Sequence, residues 1–451
     1  MKTLKNIIQV GFSNLVNFGT SFLIGFILPL VLTVYDYGKY REFALYLNYA
    51  YLFNFGFNDG IYITYGGKTF DQLNFSKFNM QKRFVITFQL VLNMLMIAVS
   101  VFQKNMILFV FSIAVFFHSV TVFYQNFLQA IGEFKIYSLS NIIKSLSLSI
   151  LIIACLFLPS QNYIYYILAT LASYIFLLIY LKFKVKVPTI EVDKMNFEAI
   201  FELYRIGFLI LVSNVSITFV GNIGSFIINW FYSIEEFAQY QFQNSILNIL
   251  IMVANSIGLV FYNLISTGLK KEKLVLVKKS IILLSILLSS SFFVFSIIIQ
   301  VFLKNYLPAL SLLSITYISI PYIMLSKILI SNLYKVKKRG NVFLRDSLSY
   351  AILSFIIIYL LNMVNHNIQL IAMLTVLCYA MWVLYVFYFQ FHFLKFDRKD
   401  IFNLFIYTVL FIFLSYNQNY YTFFVYVIIL VFILLVNRAE IKYLIQFLIK
   451  R

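Results

Sequence analysis

Long apolar runs constrain this chain more than any other feature of its sequence. A helix needs about 20 consecutive apolar residues to cross a hydrocarbon layer roughly 30 Å thick, and such runs recur along all 451 residues. Hydrophobic residues make up 62% of the chain and charged residues 11%, whereas soluble domains average about 45–50% and about 25%. Transmembrane β-strands alternate apolar and polar residues and show no such runs. The sequence therefore predicts an all-α integral membrane protein.

Fourteen transmembrane helices account for these runs. Short polar or basic stretches separate the runs and set the approximate ends of each predicted helix. An even number of crossings places both ends of the chain on the same side of the membrane. The predicted spans are 9–34, 42–65, 84–103, 106–128, 137–158, 162–181, 206–231, 238–265, 280–303, 306–334, 344–364, 367–393, 400–416 and 419–437.

The lysines and arginines indicate which side that is. Short loops rich in these residues stay in the cytoplasm. With a cytoplasmic N-terminus, only four of the 35 Lys and Arg residues fall in external loops, so both termini are expected in the cytoplasm. The net charge of +19 then follows from topology and from anchoring against anionic membrane lipids, and no nucleic-acid partner is expected. The four external cations are Lys39, Arg41, Lys104 and Lys304.

A weak internal repeat relates the first and seventh spans. Gly11, Phe12, Leu15, Val16, Gly25 and Ile27 recur at the same spacing as Gly207, Phe208, Leu211, Val212, Gly221 and Ile223. Parallel repeats of this kind occur in transporters whose halves are related by an axis along the membrane normal. The predicted organisation is a six-helix lobe at 1–182, a cytoplasmic linker at 183–204, a second six-helix lobe at 205–393, and two additional helices with a cytoplasmic tail at 394–451.

Four loose motifs give the chain a family resemblance. They are the opening Gly11-Phe12 helix, the turn from Tyr37 to Tyr40, the Asp59-Gly60 pair and the segment from Leu128 to Phe134. Together they resemble polysaccharide flippases of the O-antigen and capsule type, within the multidrug/oligosaccharidyl-lipid/polysaccharide exporter superfamily. None of the motifs is a catalytic signature, so they identify the superfamily better than the substrate.

The resemblance implies a transporter and not an enzyme. It implies two lobes around a central cavity, alternating access, and carriage of an undecaprenyl-diphosphate-linked oligosaccharide from the cytoplasmic to the outer leaflet of the bacterial cytoplasmic (inner) membrane. Polysaccharide polymerase machinery is a further candidate partner. No cofactor or metal is expected, because Cys155 and Cys378 lie in apolar segments and the three histidines are scattered without acidic neighbours.

Polar residues on two spans are candidates for lining a path through the membrane. A diphosphate and its sugars need polar partners to cross hydrocarbon. Asn14 and Asn17 lie on one face of span one, and Asn214 and Asn222 lie on a similar stripe of span seven. Small and amide residues also hold helices together in any membrane bundle. Both interpretations stay open.

Charged residues inside spans are stronger candidates, because burying a charge in lipid is costly. Lys144 shares a polar face of span five with Asn141, and Lys327 lies on span ten shortly after Pro321. Both lysines are predicted to bind the diphosphate, with snorkelling to the membrane surface as the alternative. Arg41 at the external mouth is a weaker candidate, since a solvated ion pair explains it better.

Asp59 is the one acid that the sequence places well inside a span. It is a candidate for binding a coupling proton or sodium ion, and an Asp followed by Gly is also an ordinary turn residue.

Two other functions remain as alternatives. A multidrug or cation exporter would share the fold but favour acidic residues in its cavity, whereas lysines predominate within these spans. A membrane polysaccharide polymerase or glycosyltransferase needs a large external loop with catalytic residues, and the predicted external loops are only a few residues long.

Overall fold

The structure is a computed structural model that describes residues 2–68, 70–185, 188, 195–266, 270–337, 339–417 and 420–438. Every regular element in these residues is helical. Short 3-10 or π segments separate some of the helices. The α-helices are α1 (Lys2–Phe22), α2 (Leu28–Val31), α3 (Val34–Leu47), α4 (Phe57–Tyr65), α5 (Phe75–Phe102), α6 (Met106–Ala130), α7 (Phe134–Leu156), α8 (Tyr163–Lys184), α9 (Phe197–Phe231), α10 (Ile234–Ser266), α11 (Lys271–Ser289), α12 (Ser291–Phe302), α13 (Ala309–Tyr317), α14 (Ile320–Met324), α15 (Ser331–Val336), α16 (Gly340–Val364), α17 (Ile368–Tyr385), α18 (Arg398–Asn417) and α19 (Tyr420–Val436).

The helices confirm the predicted all-α membrane fold. Within the described residues, ten stretches are long and apolar enough to span a membrane, and α13 with α14–α15 makes an eleventh if that bent pair is one span. The other three predicted spans also fall on helices. They are 42–65 on the interrupted α3 and α4, 238–265 on α10, and 419–437 on α19, which has 17 residues.

Short polar side chains begin several of the membrane helices. The first backbone N–H groups of a helix have no partner within it, and an Asn or Thr just before the helix can accept from one of them. Thr33, Asn74, Asn105 and Asn162 do so for α3, α5, α6 and α8. These capping residues determine where each of the four helices begins.

Prolines and left-handed residues break two of the spans. Pro321 lies at the start of α14, next to a 55° bend between α13 and the following helix, as expected for a residue that cannot continue the hydrogen-bond ladder. Span two is broken differently, because Phe55 and Gly56 have φ angles of 51° and 88°. Phe55 is unusual there, since left-handed conformations normally require glycine.

Contacts divide the chain into two units, residues 1–218 (unit 1) and 219–451 (unit 2). The core of unit 1 contains an aromatic cluster on α4, α5 and α6, in which the ring centroids of Phe78 and Phe127 are 4.2 Å apart. Gly207 of α9 lies directly on the backbone of Gly56, at the start of α4. A Cβ atom at Gly207 would collide with that backbone, so only glycine permits this approach.

The core of unit 2 joins the last two helices to α11–α13. Tyr407 of α18 lies 2.8 Å from both the Ser289 hydroxyl and the Tyr317 carbonyl oxygen, and Tyr426 of α19 donates to the Ile286 carbonyl oxygen at 2.7 Å. All three tyrosines are buried. Tyrosine hydroxyls thus find partners at membrane depth, where an unpaired polar group is costly.

Candidate functional site

Lys144 lies where three helices of unit 1 meet. Its Nζ on α7 donates a hydrogen bond to the Tyr174 hydroxyl on α8 at 2.8 Å, and lies 4.2 Å from the centroid of the tyrosine ring. His118 of α6 packs on the same tyrosine, with ring centroids 5.6 Å apart. The predicted site residue is therefore half-buried among side chains from α6 and α8.

The partners of Lys144 are neutral. Among residues whose side chains the structure describes, Lys144 forms no ion pair, and the buried Nδ1 of His118 has no hydrogen-bond partner. A tyrosine hydroxyl stabilises an ammonium group without cancelling its charge. The cluster of Lys144, Tyr174 and His118 therefore keeps a positive charge inside the helix bundle.

The predicted polar stripe of span one divides between two environments. Asn17 accepts a hydrogen bond from Ser145 of α7, and Thr20 hydrogen-bonds Ser149 of the same helix at 2.9 Å. The side chain of Asn14 is exposed. Asn17 therefore joins α1 to the helix that carries Lys144, which is the packing role that amides commonly have in membrane bundles.

Asn141 also lies on α7, one turn before Lys144. Its side-chain oxygen accepts a hydrogen bond at 3.0 Å from the amide of Gln125 on α6, which also donates to Ser140 at 2.9 Å. Helix α7 thus contacts three neighbours at these residues: α1 through Asn17, α6 through Asn141 and α8 through Lys144.

The other predicted residues lie apart from this cluster. Asn214 is exposed on α9 in unit 1, and Asn222, farther along α9, is half-buried in unit 2. Lys327 is half-buried in the π segment Leu325–Ile330 of unit 2. A π segment often marks a functional position in a helix, and the role of Lys327 in binding cargo stays a prediction.

Arg41 lies on α3, just before the predicted span 42–65, and Asp59 lies on α4 within that span. Arg41 is half-buried on α3, with its guanidinium 5.9 Å from the centroid of the Tyr37 ring. Nearby, Lys39 and Glu42 form an ion pair at 3.1 Å. Asp59 is half-buried in the first turn of α4, where a carboxylate is favoured by the helix dipole.

Sequence reasoning missed a second buried lysine. Lys278 falls between the predicted spans 238–265 and 280–303, in what would be a cytoplasmic loop. The structure instead has this residue inside α11, with a fully buried side chain that forms an ion pair with the buried Asp400 of α18. The ammonium also donates to the Lys395 carbonyl oxygen at 2.9 Å. The loop expectation was wrong because α11 begins at Lys271 and its polar first turns pack against residues far along the chain.

A second ion pair flanks the first. Lys279 lies 2.7 Å from Asp397, which precedes α18 and is partly exposed. Burial alone would raise the pKa of Asp397, but the hydrogen bond and positive charge of Lys279 outweigh it and lower that pKa below its ordinary value.

The sequence and the fold of the chain both resemble those of known proteins. A family model described as "Polysaccharide biosynthesis protein" matches residues 3–269, more than half of the chain. No curated protein matches the chain in sequence. A solved structure, "Lipid II flippase MurJ, inward closed conformation", is 15% identical with a TM-score of 0.68, and the match covers 99% of this chain and 100% of that one. At that identity the likeness shows the fold alone. By the family match, the chain belongs to the polysaccharide biosynthesis protein family.

Proposed function

We propose that this protein is a flippase for lipid-linked sugars. In the proposed cycle it carries an undecaprenyl-diphosphate-linked oligosaccharide from the cytoplasmic to the outer leaflet of a bacterial inner membrane by alternating access, for O-antigen or capsule synthesis. The family match and a fold shared with a lipid II flippase support this class of cargo. Both termini are proposed to be cytoplasmic.

The proposal rests on the environment of Lys144, which is half-buried and hydrogen-bonded to a neutral side chain. A diphosphate is strongly hydrated, and its transfer into hydrocarbon is prohibitive unless the protein supplies compensating charge. Lys144 offers an ammonium group that is half-buried and held by a neutral tyrosine. A charge in low-dielectric surroundings attracts an anion more strongly than the same charge in water. An anionic cargo fits that group, whereas a cationic drug does not.

Other residues take supporting roles in this proposal. Asp59, on the short α4 beside a left-handed break, is proposed to bind the coupling ion. The residues proposed to contact cargo along its path, besides Lys144, are Lys327, Arg41, Asn14, Asn17, Asn141, Asn214 and Asn222.

Reconstitution tests the function directly. The purified chain in liposomes, given a fluorescent polyprenyl-diphosphate oligosaccharide, should speed the appearance of sugar in the opposite leaflet, measured by lectin capture. Protein-free liposomes give the background rate. Unchanged leaflet distribution, together with efflux of a cationic dye from the same liposomes, would replace the proposal by a cation exporter. Longer sugar chains in the recovered lipid would indicate a polymerase.

A further inference from the structure

We infer that Tyr174 positions the Lys144 ammonium to receive a phosphate group of the cargo while leaving its charge uncompensated. This inference rests on the proposed function. It names a residue that the sequence analysis did not single out, and it assigns that residue a role in holding the ammonium for the diphosphate.

The depth of Lys144 argues for a held side chain. Lys144 lies ten residues into α7, which is roughly 15 Å from the start of that helix at 1.5 Å per residue. A snorkelling lysine extends along its own helix toward the membrane surface. Lys144 instead reaches sideways to Tyr174 on α8. The neighbouring helix therefore determines where the ammonium lies.

The chemistry of Tyr174 suits this role. Its hydroxyl oxygen accepts one of the three N–H donors of the ammonium. The other two N–H donors remain for an anion that reaches the ammonium. A carboxylate in place of the tyrosine would hold the lysine equally well, but it would cancel the charge that attracts the anion.

His118 packs against the ring of Tyr174. Tyr174 is 6% exposed. Both rings belong to helices that pack on one another, α6 and α8. Tyr174 therefore has little freedom to turn away, and its hydroxyl holds the ammonium at a defined place.

Diphosphate binding by the purified full chain in nanodiscs tests the inference. Tyr174→Phe keeps the ring and removes the acceptor, and it should weaken the affinity for inorganic diphosphate about tenfold, since hydrogen bonds to charged groups commonly contribute that much. Lys144→Ala should weaken it at least as much. Because Tyr174 acts through Lys144, adding Tyr174→Phe to Lys144→Ala should cause little further loss, and Lys144→Arg should retain part of the affinity.

Tyr180→Phe is the matched control. Tyr180 lies on the same helix, and its hydroxyl has no hydrogen-bond partner in the described part of the chain. This variant should bind diphosphate like the unchanged protein. Thermal unfolding of every variant separates a loss of binding from a loss of fold.

Three outcomes would overturn the inference. They are unchanged diphosphate affinity in Tyr174→Phe, an equal loss from Tyr174→Phe whether or not Lys144 is present, and no diphosphate binding by the unchanged chain. The flipping assay reports separately on the proposed function. A chain that binds diphosphate through coupled Lys144 and Tyr174 but does not flip lipid would keep the inference and remove the function.

Discussion

Lys144 in unit 1 and Lys278 in unit 2 are both lysines inside helical bundles, yet their partners are opposite in kind. Lys278 is fully buried, and its three donors face Asp400 and the carbonyl oxygens of Leu394 and Lys395. Lys144 is half-buried and is held by the neutral Tyr174. The charge of Lys278 is paired with a carboxylate of its own unit, whereas Lys144 has no counter-ion among the residues whose side chains the structure describes.

This difference separates a structural cation from a functional one. A buried ion pair does little for net stability compared with apolar residues, but removing one partner leaves the other charge stranded. A cation held by a neutral group can be removed without leaving a second charge unpaired. Loss of Lys278 should therefore damage the fold, and loss of Lys144 should damage transport. The four predictions below probe this contrast, from the largest expected effect on stability to the smallest.

Lys278→Ala should destabilise unit 2 by about 3–5 kcal/mol, because it strands the buried Asp400 carboxylate. Denaturant unfolding in detergent measures this change. Replacing both residues, as Lys278→Met with Asp400→Leu, should recover most of the loss. If Lys278→Ala were as stable as the unchanged protein, Lys278 would not be a structural cation, and the contrast between the two lysines would be wrong.

Asp400→Asn should cost less, about 1–3 kcal/mol, since the amide oxygen can still accept from the lysine while the countercharge is gone. The same unfolding measurement applies. A cost equal to that of Lys278→Ala would mean that the charge of the acceptor, and not its shape, holds α11 to α18.

Lys144→Ala should cost only about 1 kcal/mol of stability, the net value of one hydrogen bond, while it abolishes flipping. Paired measurements of unfolding and lipid flipping on one preparation test both parts. Full flipping by this variant would make Lys144 an anchor. A stability loss as large as that of Lys278→Ala would also break the comparison.

Asp397→Asn should have the smallest effect, below about 1 kcal/mol at neutral pH, because the Lys279–Asp397 pair is partly exposed and screened by solvent. The folded state lowers the pKa of Asp397, so its contribution is present above the ordinary carboxyl pKa near 3.9 and disappears as the pH falls below it. Unfolding at pH 7 and pH 3 should show the variant converging on the unchanged protein. A difference that grows on acidification would contradict this sign.

The sequence predicted the helices well, but it did not predict which side chains contact one another. Apolar runs determine where helices cross a membrane, and a lysine within such a run is visible at once, which is why Lys144 was found. Tyr174 is one of 34 tyrosines, and no spacing marks the one that faces a lysine on another helix. Lys278 looked like a loop residue, because its partner Asp400 is far along the chain and only folding brings the two together. The left-handed Phe55 was equally hidden, since its conformation is unusual for its residue type.

The close contact between Gly207 and Gly56 leaves no space between the backbones of α9 and α4. This helix has 35 residues and is therefore about 52 Å long at 1.5 Å per residue. At Gly207, ten residues after its start, it rests on the backbone at the start of α4 with no room for a single methyl group. A side chain on either glycine would therefore push the two backbones apart. Glycine at both positions thus sets how closely the longest helix in the described chain approaches α4.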